Sequence, residues 1–510
     1  MSIKVNSIGL KGLEGYLVQV EVQVMDGIES IVIVGLPDAS VKESRERVSA
    51  AMHTMGYPLV DKKVVVNLSP AEQKKNGPLF DLPIALGVLK SSGKASMKVP
   101  ADAAFIGALS LDGSIVPVQG MLPAILAAKK LLLKTLYLPF DPTIPEATLD
   151  GLELVYVSSI QDVLDYLSGT RPFLFQRTSP IAENHEVAYE RDFKQIIGHE
   201  FAKRALEIAA SGFHHVMMDG PPGCGKSLLA ETFPSILPPL SKEAQLEKVS
   251  LYQLADASQE CSFIPSYRSS HHSSSAVSIV GGGSNPKPGE VSLAHRGVLF
   301  LDELAEFSKK TLDMLRQPLE NGKVTISRAH STVTYPATFL FIGAMNPCPC
   351  GFLGSERQYC TCTEKQVRAY QNRVSGPIRD RMDILLSLKP VSLNQSDLQG
   401  NETSEAIRQR VIVARQRQYD RYREQVTNGE VPFERLLRAS QLLEKQEQMI
   451  KQMCRKQGFS NRVHIKVIRL ARTIADLKGE RDISDEAIWE AFTLRRTRKK
   501  GVGSRSLRTN

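Results

Sequence analysis

The chain has 510 residues, 42% apolar and 23% charged, ordinary proportions for globular protein with room for about three domains. Its start lacks the charged, apolar and small-residue order of a signal peptide, and no apolar run reaches the roughly 18 residues of a bilayer span; a soluble, cytoplasmic protein without membrane partners is expected. The net charge of +9 is unevenly spread: residues 1–175 are net −2 and residues 393–510 net +10. The basic end closes with Arg495, Arg496, Arg498, Lys499, Lys500, Arg505 and Arg508, which suits a polyanion such as nucleic acid, or is simply a solvated tail.

Residues 1–170 read as one mixed α and β domain. Val18 to Val24, Ser30 to Val34 and Lys63 to Leu68 have strand character, and Lys42 to Met55 and Phe80 to Leu89 have helical spacing. Residues 171–191, with Pro172 and Pro180 and no periodicity, form the expected linker. Residues 192–390 hold short apolar strands, Val216 to Asp219, Val298 to Asp302 and Thr338 to Ala344, which imply a parallel sheet covered on both faces. Between the first two, Pro265 to Leu293 is rich in Ser, Gly and His and reads as an exposed loop. Adjacent His271 and His272 there read as solvated side chains, since a zinc site normally needs three or four convergent ligands. Val324 to Tyr335 predicts a hairpin with Arg328 and His330 at its tip. Residues 391–510 are expected to be helical, with an apolar stripe of Ile465, Ile468, Ala471 and Ile474.

The chemistry concentrates in the second segment. Gly220, Pro221, Pro222, Gly223, Cys224, Gly225, Lys226 and Ser227 match G-x-x-x-x-G-K-[ST] directly after a buried strand. Such a loop curls backbone N–H groups around phosphate oxygens, adds the positive N-terminal end of the following helix, and supplies Lys226 to the phosphates and Ser227 to Mg²⁺. The strand ending in Asp302 and Glu303 offers a second Mg²⁺ ligand and a carboxylate to activate water. Asn346 ends the third strand and can hold that water or sense the γ-phosphate; an ordinary turn before Pro347 is the plain alternative. Arg381 and Arg462 are each either phosphate-directed or surface ion-pair residues. Cys348, Cys350, Cys360 and Cys362 have the spacing of a closed tetrahedral Zn²⁺ site, with free thiols or a redox pair as competitors. Thr363 and Gln366 read as a capping box, so a helix should start directly afterwards.

Together these motifs resemble the AAA+ ATPases. The long insertion before the acidic strand and the hairpin before Asn346 resemble the helix-2-insert branch, which contains magnesium chelatase subunits and MCM helicases. Gly281 to Ser284, Pro288 to His295, Asn346 to Gly351 and Ala471 to Leu477 are similar to the ComM/YifB group of magnesium-chelatase-like proteins. The resemblance implies an α/β P-loop AAA+ module with a helical lid, and a Lon-protease-like (ribosomal S5-like) α+β domain before it. It implies that Arg381 is an arginine finger and Arg462 a sensor-2 arginine, in an ATP- and Mg²⁺-dependent homo-hexamer that moves branched or single-stranded DNA during natural transformation. It also implies an inactive peptidase. Leu79 follows Gly77-Pro78 where a Lon serine would stand, and Leu122 stands where the lysine would, and leucine neither attacks a carbonyl nor moves a proton. A chelatase-type motor remodelling a partner protein is the alternative reading, and an ATP-dependent protease the third.

Overall fold

The computed structural model describes residues 2–94, 97–144, 151–169, 189–257, 262–283, 285–328, 331–355, 358–391 and 401–495. The expected linker lies almost wholly outside them, as do His330 and the basic residues beyond Arg495.

The N-terminal unit is built on a four-stranded sheet. Ile3–Lys11 and Glu14–Asp26 pair antiparallel, Lys62–Ser69 pairs antiparallel with Glu14–Asp26, and Ser30–Val34 closes the edge parallel to Lys62–Ser69. Alternation puts Val18, Val20 and Val22 on one buried face. Helices Asp81–Ser91 and Met121–Lys130 lie on that face so closely that a Cβ on Gly87 would stand 2.4 Å from Val22 Cγ2, and one on Gly15 2.2 Å from Ala127 Cβ. Helix Ala39–Thr54 begins earlier than its apolar spacing suggests, because the Asp38 side chain caps it by accepting from Val41 N–H at 2.8 Å. A second, parallel sheet joins Ala103–Phe105, Thr135–Leu138 and Glu153–Tyr156.

The middle unit carries a five-stranded, fully parallel sheet in the order Tyr267–Ser270, Val298–Leu301, Leu340–Met345, Val216–Asp219, Ile384–Ser387. Its centre is apolar on both faces, as a sheet under two helical layers must be. The Pro265 to Leu293 stretch is not a loop. It supplies the edge strand Tyr267–Ser270, helices Ala276–Val280 and Glu290–Leu293, and a small ladder between Gly281–Gly282 and Lys287–Pro288. Ile279, Val280, Val291 and Leu293 are buried there. An edge strand pairs on one side only and can be polar, so YRSS left no apolar periodicity to find. The predicted hairpin is present as Lys323–Arg328 paired with Ser331–Pro336.

Five helices from Ser404–Tyr422 to Asp485–Arg495 form the C-terminal unit. In helix Asn461–Lys478 the buried stripe includes Val463, Val467, Ile468, Leu470, Ala471 and Ile474, whereas Ile465 faces a cavity. No described helix is long and apolar enough to cross a membrane.

A buried polar tie joins this unit to the sheet. Asp383 accepts from Lys466 Nζ at 2.8 Å and from His215 N–H at 2.9 Å, while His214 Nε2 meets Thr473 Oγ1 at 2.8 Å. Burial opposes every charge here. It wins at Lys466, which is lowered, but the Lys466, His214 and His215 charges prevail at Asp383, whose carboxyl is held far below the usual range. Burial also drops both histidines from 6.5 to about 4. The unfolded chain therefore binds protons below pH 6.5 that the folded chain refuses until about pH 4. Stability should be full above pH 6.5 and fall by about 1.4 kcal/mol per histidine per pH unit below it, with Asp383 adding to the loss at still lower pH. Unfolding midpoints between pH 7.5 and about 4.5, followed by the fluorescence of the single tryptophan, Trp489, on this unit, check the slope.

Candidate nucleotide site

The strand order decides which side chains meet. The strand ending before Asn346 lies between the strand feeding the phosphate loop and the strand ending in Asp302. Three strand ends therefore open on one crevice at their carboxyl side, the usual ligand position in open parallel sheets. Gly220 N–H reaches back to Met345 O at 3.3 Å and pins the loop to the central strand. A Cβ on Gly220 would stand 2.7 Å from Cys224 Sγ and 3.0 Å from Leu388 O, so only glycine fits. Gly223 and Gly225 have φ of 71° and 83°, the left-handed region that glycine adopts without strain. Helix Lys226–Thr232 then follows directly on the loop.

Lys226 is almost fully buried under its own loop. Its Nζ donates to Gly220 O at 2.7 Å, Pro221 O at 3.0 Å and Asn346 Oδ1 at 3.2 Å. Ser227 Oγ donates to Asp302 Oδ2 at 3.1 Å. The expected lysine and asparagine thus pair, as do the serine and aspartate, side by side at the strand ends, and the Asn346 side chain is engaged with Lys226. Cys224 is buried, and burial pushes its thiol up. Glu303 follows Asp302 with φ of 48°, a strained backbone for a non-glycine residue. Its side chain is half-exposed, and His272 Nδ1 lies 2.8 Å from Glu303 Oε2, a charge-pair distance without hydrogen-bond alignment. His272 was expected to be solvated; the edge strand carries it to Glu303 instead, and only the sheet register could reveal that.

Arg381 and Arg462 are not in this crevice. Arg381 donates to Glu320 Oε2 at 2.7 Å and to Pro377 O at 2.8 Å, and Arg462 lies 4.0 Å from Glu320 Oε1. Both line a separate pocket of about 500 Å³ whose walls contain no residue of the phosphate loop. Arg462 therefore does not reach over its own loop from the lid, as phosphate contact within one chain would require. Glu320, which brings the two arginines together, carries no motif and was missed.

The four cysteines converge. Cys348 Sγ lies 3.3 Å from Cys350 Sγ and 3.7 Å from Cys360 Sγ, Cys350 and Cys360 are 3.5 Å apart, and all four sulfurs fall within 4.8 Å of one another. A tetrahedral Zn²⁺ site with bonds of about 2.3 Å separates its sulfurs by about 3.8 Å, so the set fits that ion with small adjustments. The Phe352 backbone N–H holds the Cys350 thiol down to about 6, while burial pushes Cys348 up. The Thr363 and Gln366 side chains cap the helix Glu364–Gln371 that follows.

Gly220→Ala should displace Cys224 or Leu388 and spoil the cradle. ATP affinity, measured by titration calorimetry, should fall by roughly tenfold or more, equivalent to about 1.4 kcal/mol, while the unfolding midpoint of the N-terminal unit stays unchanged.

Comparison with known proteins agrees with this geometry. The family description "Magnesium chelatase, subunit ChlI" matches residues 192–396, "Subunit ChlI of Mg-chelatase" matches 20–142, and "Magnesium chelatase, subunit ChlI C-terminal" matches 401–495. Competence protein ComM of Haemophilus influenzae is 37% identical over 496 residues, covering 95% of each chain. Protein YifB of Salmonella typhimurium is 36% identical over 498 residues, again covering 95% of each. Lon protease 2 of Borreliella burgdorferi is 28% identical over 164 residues, 30% of this chain and 20% of its own. The chain belongs to the ComM/YifB family of magnesium-chelatase-like AAA+ proteins, an assignment that points to an ATPase and is consistent with ATP and Mg²⁺ at the crevice.

Proposed function

We propose that this chain is a cytoplasmic, ATP-hydrolysing ring motor, a homo-hexamer, that remodels DNA by branch migration or helicase-type movement. The observation that carries the ATPase half is the junction of Lys226, Ser227, Asp302 and Asn346 at one end of a parallel sheet. Phosphate oxygens would replace the loop carbonyls that Lys226 now contacts. Ser227 and Asp302 would hold Mg²⁺, which when bound neutralises phosphate charge. Asn346 orients the attacking water, and Glu303 accepts its proton once free of His272.

Arg381 and Arg462 stand together around the Glu320 carboxylate, on a pocket apart from the loop. That placement favours delivery of both guanidinium groups to a neighbour's γ-phosphate. Arginine supplied across an interface stabilises transition-state charge by roughly 10³–10⁵ in rate. The DNA half is supported by a cleft of about 640 Å³ between the N-terminal unit and the hairpin, whose lining holds Lys11, Lys74 and Arg328 against the one carboxylate Glu72. The basic C-terminal end and the name of the ComM relative point the same way. The cysteine cluster is proposed to hold a structural Zn²⁺. Peptidase activity is not part of the reading, because Leu79 and Leu122 are buried in the N-terminal core.

ATP hydrolysis should rise on adding forked DNA. Glu303→Gln should lower the rate by roughly 10²–10⁴ and leave ATP binding intact. DNA affinity should fall linearly on a logarithmic salt scale as phosphate contacts are exchanged for cations. Undetectable DNA binding at low salt, with a rate indifferent to DNA, would sink the DNA reading.

Mixing tests the arginine. Glu303→Gln and Arg381→Ala chains should each be inactive alone. Mixed rings place an intact Glu303 beside an intact Arg381 of the neighbour, so activity should return. No recovery on mixing, with assembly verified by light scattering, would show that Arg381 does not act across the interface.

A further inference from the structure

His271 and His272 follow directly on the edge strand, and the register that pairs Ser270 with Leu301 sets them beside Asp302 and Glu303. Successive side chains on a regular strand point to opposite faces. Here the chain turns after Ser270, with Ser274 N–H donating to His271 O at 2.9 Å, and the two rings come to 4.0 Å between centroids. One ligand atom each from His271, His272 and Glu303 lies within 4.8 Å of the others. An ion bound tetrahedrally by nitrogen and oxygen at about 2.0–2.1 Å separates its ligand atoms by about 3.4 Å, which lies inside that range.

The surrounding bonds fit a metal. Ser273 Oγ lies 2.9 Å from His271 Nδ1, an outer partner that selects Nε2 as the ligand atom. Two imidazoles and one carboxylate favour Zn²⁺ and its transition-metal neighbours over Mg²⁺ or Ca²⁺, which take oxygen ligands. Three protein ligands also leave a fourth position for water.

We propose that His271, His272 and Glu303 form a binding site for a divalent transition-metal ion of the zinc class, and that an ion there holds Glu303 away from the attacking water. The site stands without the motor reading; only its inhibitory effect rests on it. An ion bound in this way stops hydrolysis without closing the phosphate cradle, since Lys226, Ser227 and Asp302 take no part.

The test is equilibrium dialysis of the full-length chain against buffered Zn²⁺ without nucleotide, comparing wild type with His271→Gln/His272→Gln. Wild type should hold one more ion per chain than the variant, whether or not the cysteine cluster is loaded. Glu303→Gln, an isosteric change at a half-exposed side chain, should lose the same ion and so guards against misfolding of the double variant. Zn²⁺ should slow wild-type ATP hydrolysis but not ATP binding. The inhibiting concentration should rise by about 100-fold or more in the double variant, since even an outer-shell partner is worth about 10–100-fold in metal affinity. Equal metal content in wild type and both variants overturns the site. An extra ion that leaves hydrolysis unhindered overturns the inhibitory role. A wild type with no ATPase at all would sink the motor reading, while dialysis still decides the site.

Discussion

The structure depends on a constraint of strand order. The Leu340–Met345 strand lies between the strand feeding the phosphate loop and the strand ending in Asp302, all three parallel. Parallel pairing forces the carboxyl ends to the same side, so Lys226 meets Asn346 and Ser227 meets Asp302 although far apart in sequence. Apolar side chains on both faces bury this sheet between its covering layers. The site is thus a by-product of sheet packing, sharpened by glycines at the few points where a Cβ has no room.

A second polarity follows from the buried tie around Asp383. Lys466 from the C-terminal unit donates both to Asp383 and to Arg381 O, so one contact fixes the helix bearing Arg462 against the segment bearing Arg381. Both arginines then open on the same pocket with Glu320 between them. Breaking a buried pair of this kind costs about 3–5 kcal/mol, which keeps the two groups in fixed relation. The chain therefore carries a phosphate cradle and, on a separate pocket, a paired cationic set.

The N-terminal unit is docked on the middle unit at three points. Leu122 is buried and its N–H donates to Gln253 Oε1 at 3.1 Å, on helix Lys242–Ala255 of the middle unit. A Cβ on Gly12 would stand 2.6 Å from Val333 Cγ1, so this unit also rests on the hairpin. Val249 completes its core from across the junction. Leu79 is buried in the same core, and this junction is held by apolar packing and an amide contact.

Local sequence determined the pieces whose physics is local. The phosphate loop, the Asp302–Glu303 strand end, the hairpin and the Thr363 cap depend on spacing over a few residues, and each stands where the sequence placed it. The parallel α/β character was legible for the same reason, since strands buried on both faces read as apolar runs. Tertiary structure alone decided the rest. The polar edge strand has no apolar period, so His272 looked like a loop residue until pairing set it against Glu303. Glu320 looked like any surface carboxylate, and its role arises from two arginines lying 61 and 142 positions away. Contacts at such separation follow from how layers stack, and no short window of sequence records that.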